Sequence, residues 1–503
     1  MTLLFPEDGM TAVTLVAALM GFAWAGHELL QHRLFRHETG SAYGTSAWAT
    51  VRKLKRAGLL GTKGIVLGRV GRKLLRQQSD KHLLTLAPNR AGKGVSSIIP
   101  NLLTWPGSVL VIDPKGENAV VTARARRDMG QAVYVLDPWG ITGEPRARFN
   151  PLLSLTPQSP DISEDAALLA DGLVIPAAKG EEEFWNNEAR ALISGLLMHI
   201  ATTELPEDRH LGKLRTILTS GEDGFDAILD DMAENKSAHG LVARTARRIR
   251  QKTDKERSGV MSTAQAQTHF LDSPRMTDVL SASSFDLRDL KNGHMTIYLV
   301  LPADRLATHG RWLRLIVGLC LSAMTRDRQV PSVPVLFMLD EFAALGRLQA
   351  VETAMGLLAG YGVLLWPILQ DLSQLQDLYP HRWKSFLANA GAVQAFGVND
   401  LGTAEYLSGM LGQRTVMVRQ HGRSGKTEYD HGAENYSATS RPLLMPQEIM
   451  RLPRQKEILL LEGKEPVLAD RARYFSDKEF AGLFDPNPMI GKGGIGKERG
   501  NKS

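Results

Sequence analysis

Short apolar segments recur along the chain, and each of them ends in a polar residue or a turn. The first three span residues 83–87, 108–113 and 131–137, and stretches with helical periodicity separate them. Buried strands that alternate with helices are typical of a parallel sheet with helices on both faces. The pattern therefore predicts an α/β domain, whose first part spans residues 38–153 and opens with a basic connector at about residues 40–80.

The alternation of strands and helices stops after residue 153. Residues 154–284 contain helical patterns such as FWNNEARALISGLLMHIATTE and no convincing strand, which predicts an inserted all-α domain. Strand signals resume at residues 294–301, 333–340, 361–369, 392–398 and 456–462. They predict the second part of the α/β domain at residues 285–485. Residues 486–503 carry Gly, Pro and Lys with few apolar residues, and this composition predicts a disordered tail.

An uncharged run at residues 10–26 is apolar enough to enter a membrane. It lies at the short limit for a span, which usually needs roughly 20 residues. Two acidic residues precede the run, whereas Arg33 and Arg36 follow it, and basic flanks tend to stay in the cytoplasm. We therefore expect an N-terminal transmembrane helix within residues 1–37 and a cytoplasmic remainder. The alternative is a buried or interfacial helix.

Composition narrows the classes of protein only slightly. Charged residues make up 23% and hydrophobic residues 43% of the chain, which excludes disorder over most of its length. The single cysteine, Cys320, excludes an intramolecular disulfide and a C-x-x-C metal site. The net charge of +6 suits a polyanionic partner, although on 503 residues it is weak evidence.

The loop after the first predicted strand has the features of a phosphate-binding loop. Successive backbone N–H groups between a strand and a helix can bind phosphates, and a lysine can reach the β- and γ-phosphates. Two positions depart from the usual pattern, because Ala87 replaces a glycine and Gly94 replaces the hydroxyl residue that binds Mg²⁺. Ser96 or a water is the candidate substitute. The predicted nucleotide-binding residues are Asn89, Arg90, Ala91, Gly92, Lys93, Gly94 and Val95.

A second motif argues against the alternative that Gly92-Lys93 is a chance pair in a glycine-rich turn. The segment VLFMLDEFAAL carries Asp340 and Glu341 at the end of a strongly apolar predicted strand. In P-loop ATPases an acid at this place holds Mg²⁺, and a neighbouring Glu can activate the attacking water. Gln370 ends the segment VLLWPIL and is a candidate sensor of the γ-phosphate; the alternative is an ordinary strand cap. Together these residues predict an ATP and Mg²⁺ site.

Several blocks, in order over about residues 40–480, resemble the TraG/VirD-four family of type IV secretion coupling proteins. They are GTSAWAT, APNRAGKGVSSIIPNLLTWPGSVLVIDPKGEN, WNNEARALISGLLMH, TIYLVLPADRL, LDEFAALGRLQAVETAMGLLAGYGVLLWPILQDLSQLQDLYP, NAGAVQAFGVNDLGTAEYLSGMLG and RPLLMPQEIMRLP. Within the TraG-like branch, a glycine after the P-loop lysine looks normal.

The resemblance implies a RecA-like motor domain with an inserted all-α domain, a homo-hexamer, and an anchor in the bacterial inner membrane. It assigns phosphate binding to Lys93, Mg²⁺ to Asp340, water activation to Glu341 and γ-phosphate sensing to Gln370. The implied partners are DNA without sequence specificity, a relaxase or effector protein, and the ATPases and inner-membrane components of the secretion channel.

Two features depart from the family pattern. Members usually carry two or more N-terminal spans, and here there is one marginal span. Some related ring ATPases have an arginine shortly before the position of Gln370, and here that stretch is AGYG. Arg347 and Arg441 are the candidates for an arginine acting between subunits, each with a structural ion pair as the alternative.

Seven basic residues in the predicted helical insertion are candidates for phosphate contacts: Arg244, Arg247, Arg248, Arg250, Lys252, Lys255 and Arg257. No aromatic residue lies among them, which argues against base stacking. A solvated helix face is the alternative. The basic connector (Arg52, Lys53, Lys55, Arg56, Arg72, Lys73 and Arg76) is instead a candidate for contact with anionic lipid headgroups.

Two other functions stay open at this point. One is a double-stranded DNA translocase of the same motor superfamily, of the FtsK/HerA type, which would need no channel partner. The other is a substrate receptor that holds nucleotide with little turnover. The Asp340-Glu341 pair argues against the receptor, because an inactive receptor has no need of the glutamate.

Overall fold

The structure is a computed structural model that describes residues 41–176, 181–421 and 434–489. The predicted anchor lies outside these residues, as does the predicted tail from residue 490 onward. In the described ranges, no helix is both long and apolar enough to cross a membrane. The chain divides into two compact units, and residues 400–451 separate from the rest together with the segment that precedes Thr50.

A sheet of 11 strands forms the larger unit, in the order β2-β1-β13-β12-β9-β3-β8-β7-β4-β6-β5 among the described residues. From β9 to β5 all neighbouring strands are parallel. These strands are β3 (His82–Leu86), β4 (Val109–Asp113), β5 (Ala132–Leu136), β6 (Met295–Val300), β7 (Val335–Leu339), β8 (Val363–Leu369) and β9 (Ala390–Ala395). Every residue of β3, β4, β6, β7 and β8 is buried, as expected for apolar strands covered by helices.

The other end of the sheet is antiparallel, which the sequence pattern did not predict. Its strands are β1 (Ile65–Val70), β2 (Lys73–Gln77), β12 (Lys456–Leu461) and β13 (Val467–Asp470). The hairpin β1–β2 and the helix α1 (Val51–Arg56) occupy the segment interpreted as a basic connector. Its basic residues hid the short apolar stretches IVL and LL, each of which is buried in the sheet.

Helices and a cluster of buried side chains fix the position of the loop that follows β3. Helices α2 (Ile99–Leu102) and α3 (Glu117–Asp128) come after β3 and β4. Ile99 and Val121 pack with Val66 of β1 and with Tyr474 and Phe480 from the C-terminal segment. The C-terminal segment is therefore part of the core beneath the candidate phosphate-binding loop.

Between β5 and β6 the described residues contain helices and no strand, in agreement with the helical pattern of residues 154–284. The helices are α4 (Ile162–Leu173), α5 (Glu181–Thr203), α6 (Leu211–Leu218), α7 (Gly221–Glu234), α8 (Leu241–Arg250), α9 (Asp254–Thr268), α10 (Pro274–Val279) and α11 (Asp289–Asn292). The remaining helices of the larger unit are α12 (Leu306–Arg326), α13 (Gln349–Leu357), α14 (Leu372–Leu378) and α15 (Trp383–Ala388).

The smaller unit contains a two-stranded antiparallel ribbon. It is formed by β10 (Gln413–His421) and β11 (Glu434–Pro442), with α16 (Leu401–Leu411) before it and α17 (Pro446–Met450) after it. The GTSAWAT block adds to β10, since Thr45 bridges to Arg414. Gly44 has φ 137° and a Cβ there would lie 2.3 Å from the carbonyl oxygen of Gln413, so this close approach requires glycine.

Candidate nucleotide-binding site

The residues predicted to bind nucleotide meet at one edge of the sheet. Strands β3, β8, β7 and β4 are consecutive neighbours in the sheet and are parallel, so their carboxyl ends lie on the same side. The loop at residues 87–93 follows β3, Gln370 follows β8, and the Asp340-Glu341 pair follows β7. The carboxyl edge of an open α/β sheet is where ligands of such folds bind.

The loop itself has an unusual backbone. Arg90 has φ 61° and Gly92 has φ 88°, both in the left-handed region. A Cβ at Gly92 would lie 2.5 Å from Nη2 of Arg471, so only glycine fits without a shift of that guanidinium. After Lys93 the chain forms a π-helical turn at Gly94–Ile98 and continues as α2. The strand, loop and helix are thus in the arrangement that a P-loop requires.

Lys93 is the cation at the centre of this edge. Its Nζ lies 3.7 Å from Oδ1 of Asp340 and 3.7 Å from Oε2 of Glu341, and its side chain is 10% exposed. Nζ is buried and has no hydrogen-bond partner among the described residues. A buried ammonium without hydrogen bonds is costly, and phosphate oxygens would satisfy it. The site therefore fits a nucleotide phosphate between Lys93 and the two acids.

Glu341 occupies a strained position that directs its carboxylate to Gln370. It has φ 53° and ψ 44°, a left-handed conformation that costs a non-glycine residue about 1–2 kcal/mol. Its N–H donates to Oδ1 of Asp340 over 3.0 Å, and its Oε1 accepts from Nε2 of Gln370 over 2.9 Å. The backbone N–H of Gln370 donates to Gln374. The two predicted catalytic side chains are therefore in direct contact.

Two acids at this edge, the buried Asp113 and the partly buried Asp340, have raised pKa values. Burial raises the pKa of Asp340, and the neighbouring Glu341 raises it further against the opposing effect of Lys93. Burial raises the pKa of Asp113, at the end of β4, to about 7, with smaller contributions from Glu117 and Asp340. Asp113 was predicted only as a strand end, although the adjacency of β4 and β7 brings it into the site.

Arg471, which follows β13, is a residue of the site that the sequence did not reveal. Its Nη2 donates to the carbonyl oxygen of Gly92 over 3.2 Å and to Oγ of Ser96 over 2.8 Å. Its guanidinium also lies over the ring of Phe396, 4.4 Å from the centroid. Arg471 therefore links the C-terminal segment to the backbone of the candidate phosphate-binding loop.

The structure places Ser96 against this arginine. Ser96 is fully buried, and Nε of Arg471 also donates to its Oγ over 3.1 Å. The oxygen that was predicted to bind Mg²⁺ thus accepts two hydrogen bonds from one guanidinium. These contacts give Ser96 a role in holding the loop.

The two candidates for an arginine acting between subunits both have acidic neighbours within their own unit. Arg347 lies 3.4 Å from Glu352, and Arg441 lies 2.5 Å from Glu448. Both pairs are partly exposed to solvent, where such pairs usually contribute less than about 1 kcal/mol. Both arginines therefore have the contacts of a structural ion pair, which is the alternative that the sequence left open.

Most of the basic residues in the helical region are neutralised by neighbouring acids. Arg248 and Lys252 both pair with Glu188, Arg250 pairs with Asp230, and Arg257 pairs with Asp226. Arg244, Arg247 and Lys255 are exposed. Of the basic connector, Lys53 pairs with Glu465 and Arg76 donates to the carbonyl oxygen of Gly64. Only part of either basic cluster is available to a polyanion.

Comparison with known proteins identifies the family. Residues 47–489 match the family described as "Type IV secretory system Conjugative DNA transfer". The chain belongs to this family. The match confirms the resemblance to the TraG/VirD-four coupling proteins and the predicted function of a type IV secretion coupling protein.

Individual relatives agree with this assignment. The chain is 30% identical over 474 residues to Protein VirD4 of Rhizobium rhizogenes, which covers 88% of this chain and 67% of the relative. It is 29% identical over 405 residues to the conjugal transfer protein TraG of Agrobacterium fabrum, covering 79% and 60% of the two chains. The chain thus spans about two thirds of the length of these relatives.

A solved structure shows the same fold. The plasmid coupling protein TrwB, in complex with ADP and Mg²⁺, matches with a TM-score of 0.64 and 16% identity, over 88% of this chain and 98% of that chain. The predicted α/β motor fold is therefore confirmed as a mixed α/β fold with a largely parallel sheet, and the predicted transmembrane helix lies outside the described residues.

Proposed function

We propose that this chain is an ATPase that uses Mg²⁺-dependent ATP hydrolysis to drive substrate into a type IV secretion channel. The observation that carries the proposal is the cluster of Lys93, Asp340, Glu341 and Gln370 at one edge of the sheet. Binding of ATP and Mg²⁺ is supported by the family and by the TrwB complex with ADP and Mg²⁺.

Each residue of the cluster has a role that follows from its contacts. Lys93 holds the β- and γ-phosphates, since its Nζ is buried and makes no hydrogen bond within the described part of the chain. Asp340 would hold Mg²⁺. When bound, this ion would neutralise part of the charge on the phosphates. Glu341 takes the proton of the attacking water as general base.

Gln370 positions that base and senses the γ-phosphate. Its amide donates to Oε1 of Glu341, while Oε2 of Glu341 faces Lys93. A γ-phosphate between these groups would compete for the Gln370 amide, so the hydrogen bond to Glu341 would depend on the nucleotide bound. A change in this hydrogen bond would transmit the state of the nucleotide to β8 and to α14, the helix that follows it.

The remaining elements of the proposal concern assembly and substrate. We propose a homo-hexamer attached to the bacterial inner membrane, with the motor domain in the cytoplasm. Its substrates would be a DNA–relaxase complex or an effector protein, and its partners the ATPases and inner-membrane components of the channel. The family description supports the transfer of DNA as one substrate class.

ATP turnover by the full chain in detergent or membranes, with and without single-stranded DNA, tests the proposal. We expect turnover that rises with DNA and is lost in Glu341→Gln, while this variant still binds ATP. Binding of ATP without turnover, by the full chain with DNA and channel components present, would contradict the motor and favour the receptor. Stimulation by double-stranded DNA alone, with no effect of channel components, would favour the translocase.

A further inference from the structure

The position that follows the P-loop lysine is Gly94, and an acid from α3 covers it. A Cβ at Gly94 would lie 3.2 Å from Oε1 of Glu117 and 4.0 Å from Oδ1 of Asn118. The space beside Gly94, where a hydroxyl side chain usually reaches Mg²⁺, therefore faces a carboxylate oxygen and an amide oxygen. Both residues belong to the start of the helix that follows β4.

Two oxygens at this place are buried without a hydrogen-bond donor among the described residues. They are Oδ1 of Asp113 and Oδ1 of Asn118, in residues that are 0% and 2% exposed. The other oxygen of Asp113 accepts from the backbone N–H of Ala119 over 2.9 Å. A buried acceptor left without a donor costs about 1–3 kcal/mol, so a donor is expected here.

The orientation of Glu117 is set from its other side. Its Oε2 accepts from Nδ2 of Asn487 over 3.3 Å, and Asn487 also contacts the hydroxyl of Tyr474, which is buried in the core. This contact holds the carboxylate so that Oε1 is directed at Gly94. Glu117 is therefore a positioned acid, held by the C-terminal segment.

Charge at this edge favours a divalent cation with its water ligands. Glu117, Asp113 and Asp340 interact electrostatically, and Lys93 is the cation that faces Asp340. Within the described ranges, no three such side chains converge closely enough to hold a bare metal ion. Mg²⁺ in nucleotide sites usually keeps several waters and takes one or two carboxylates plus phosphate oxygens. Waters on Mg²⁺ would supply the donors that the buried oxygens lack.

We infer that Glu117, backed by Asp113 and Asn118, holds the water ligands of the nucleotide-bound Mg²⁺ in place of the hydroxyl that Gly94 lacks. The inference rests on the proposed function and adds positioning residues to it. Glu117 acts on the metal through water ligands, whereas Asp340 is the acid that follows β7. The loss of such an outer contact typically weakens metal affinity by 10- to 100-fold.

Titration of Mn²⁺ into the full chain with saturating ADP, followed by electron paramagnetic resonance, tests this inference. Glu117→Gln should weaken Mn²⁺ binding at least tenfold, while ADP affinity in EDTA stays within about twofold of the parent chain. Asp128→Asn is the matched control, because Asp128 is an exposed acid at the other end of the same helix. It should leave both affinities unchanged.

A rescue experiment distinguishes a role at the metal from a structural role. Glu117→Ala removes the carboxylate that a Cβ at Gly94 would contact, and adding Gly94→Ser restores the usual hydroxyl. The double variant should recover Mn²⁺ affinity, which a general loss of folding would prevent. An unchanged Mn²⁺ affinity in Glu117→Gln would overturn the inference and leave the proposed function intact. No Mn²⁺ binding by the parent chain with ADP would overturn both.

Discussion

Two lysines of the larger unit each face acidic side chains, but at different distances. Lys93 at the sheet edge and Lys252 in the helical region are nearly equally buried, with side chains 10% and 13% exposed. Lys252 lies 2.8 Å from Glu188 and over the ring of Phe184, whereas Nζ of Lys93 is 3.7 Å from its nearest acids and has no hydrogen bond among the described residues.

This contrast distinguishes a candidate ligand site from a structural ion pair. In the helical region, Glu188 lies against two cations, and Asp226 and Asp230 each lie against one, so the charges are balanced by short ion pairs within the protein. At the sheet edge, Nζ of Lys93 and the Oδ1 atoms of Asp113 and Asn118 are buried and have no hydrogen-bond partner in the part of the chain that the structure describes. Unsatisfied buried polar groups are rare in folded proteins, and a bound ligand is a common reason for them.

The greatest loss of activity is expected at Glu341, the proposed general base. Glu341→Gln should lower ATP turnover by about 10²–10⁴-fold, because the amide cannot accept the proton of the attacking water. ATP binding should persist, since Lys93 and the loop are unchanged. Single-turnover hydrolysis together with equilibrium binding measures both quantities. Turnover within threefold of the parent chain would remove Glu341 from the catalytic machinery.

The two lysines provide a direct test of the comparison. Lys93→Met should reduce ATP affinity and turnover by at least 100-fold, with little loss of thermal stability, because it removes a charge that has no hydrogen-bond partner in the described ranges. Lys252→Met should leave turnover unchanged and lower the stability, because Glu188 loses one of its two cations. Thermal unfolding and ATP turnover of both variants check this. The reverse pattern would mean that the sheet edge is structural.

Arg471 should affect the site through the loop it holds. Arg471→Lys keeps the charge but cannot donate to Gly92 and Ser96 from one planar group, so we expect about a tenfold loss of nucleotide affinity. The neighbouring Arg473→Lys serves as control and should have a smaller effect. Nucleotide binding by calorimetry measures the difference. Equal affinities for the two variants would limit Arg471 to a role in stability.

Stability should decrease at mildly acidic pH through a buried histidine in β3. Nδ1 of His82 accepts from the N–H of Leu365 and Nε2 contacts the carbonyl oxygen of Ala354, so the ring is neutral. Burial lowers the pKa of His82 to about 4 from 6.5. The neutral His82 therefore makes its full contribution to the free energy of unfolding above pH 6.5. This contribution decreases as the pH falls toward 4, and the loss at pH 5 is about 2 kcal/mol.

Chemical denaturation at pH 7 and pH 5 measures this effect. His82→Gln should flatten the pH dependence, whereas His381→Gln, at an exposed position, should not. Identical pH dependence in the parent chain and His82→Gln would show that other groups dominate. The comparison of the two variants also separates His82 from the acids of the sheet edge, which both variants retain.

The smallest effect is expected on the basic surface of the helical region. Arg244→Ala with Arg247→Ala removes two exposed cations and should weaken single-stranded DNA binding by a few-fold, with a shallower salt dependence. The paired Arg250→Ala should weaken it less. Binding by fluorescence anisotropy at several salt concentrations resolves the two cases. No change in either variant would assign this face to solvent.

The sequence predicted the parts of this protein that depend on local patterns. Apolar segments located all seven parallel strands within a few residues, because a strand buried on both faces must be apolar along its length. The polar residues at the ends of those strands, namely Lys93, Asp340, Glu341 and Gln370, could be selected because parallel strands bring their carboxyl ends to one edge. The strands β1, β2 and β13 of the larger unit and β10 and β11 of the smaller unit were missed, because short apolar stretches between charged or polar residues have no clear period.

The chemistry at each strand end and the family to which the chain belongs follow from the residue types along the chain. Which strand ends are neighbours depends instead on the fold, which places Asp113 next to Asp340 and Arg471 next to Ser96, 375 positions earlier. The physical reason is that strand order and the packing of the C-terminal segment depend on contacts between distant residues. The local periodicity of the sequence does not predict those contacts.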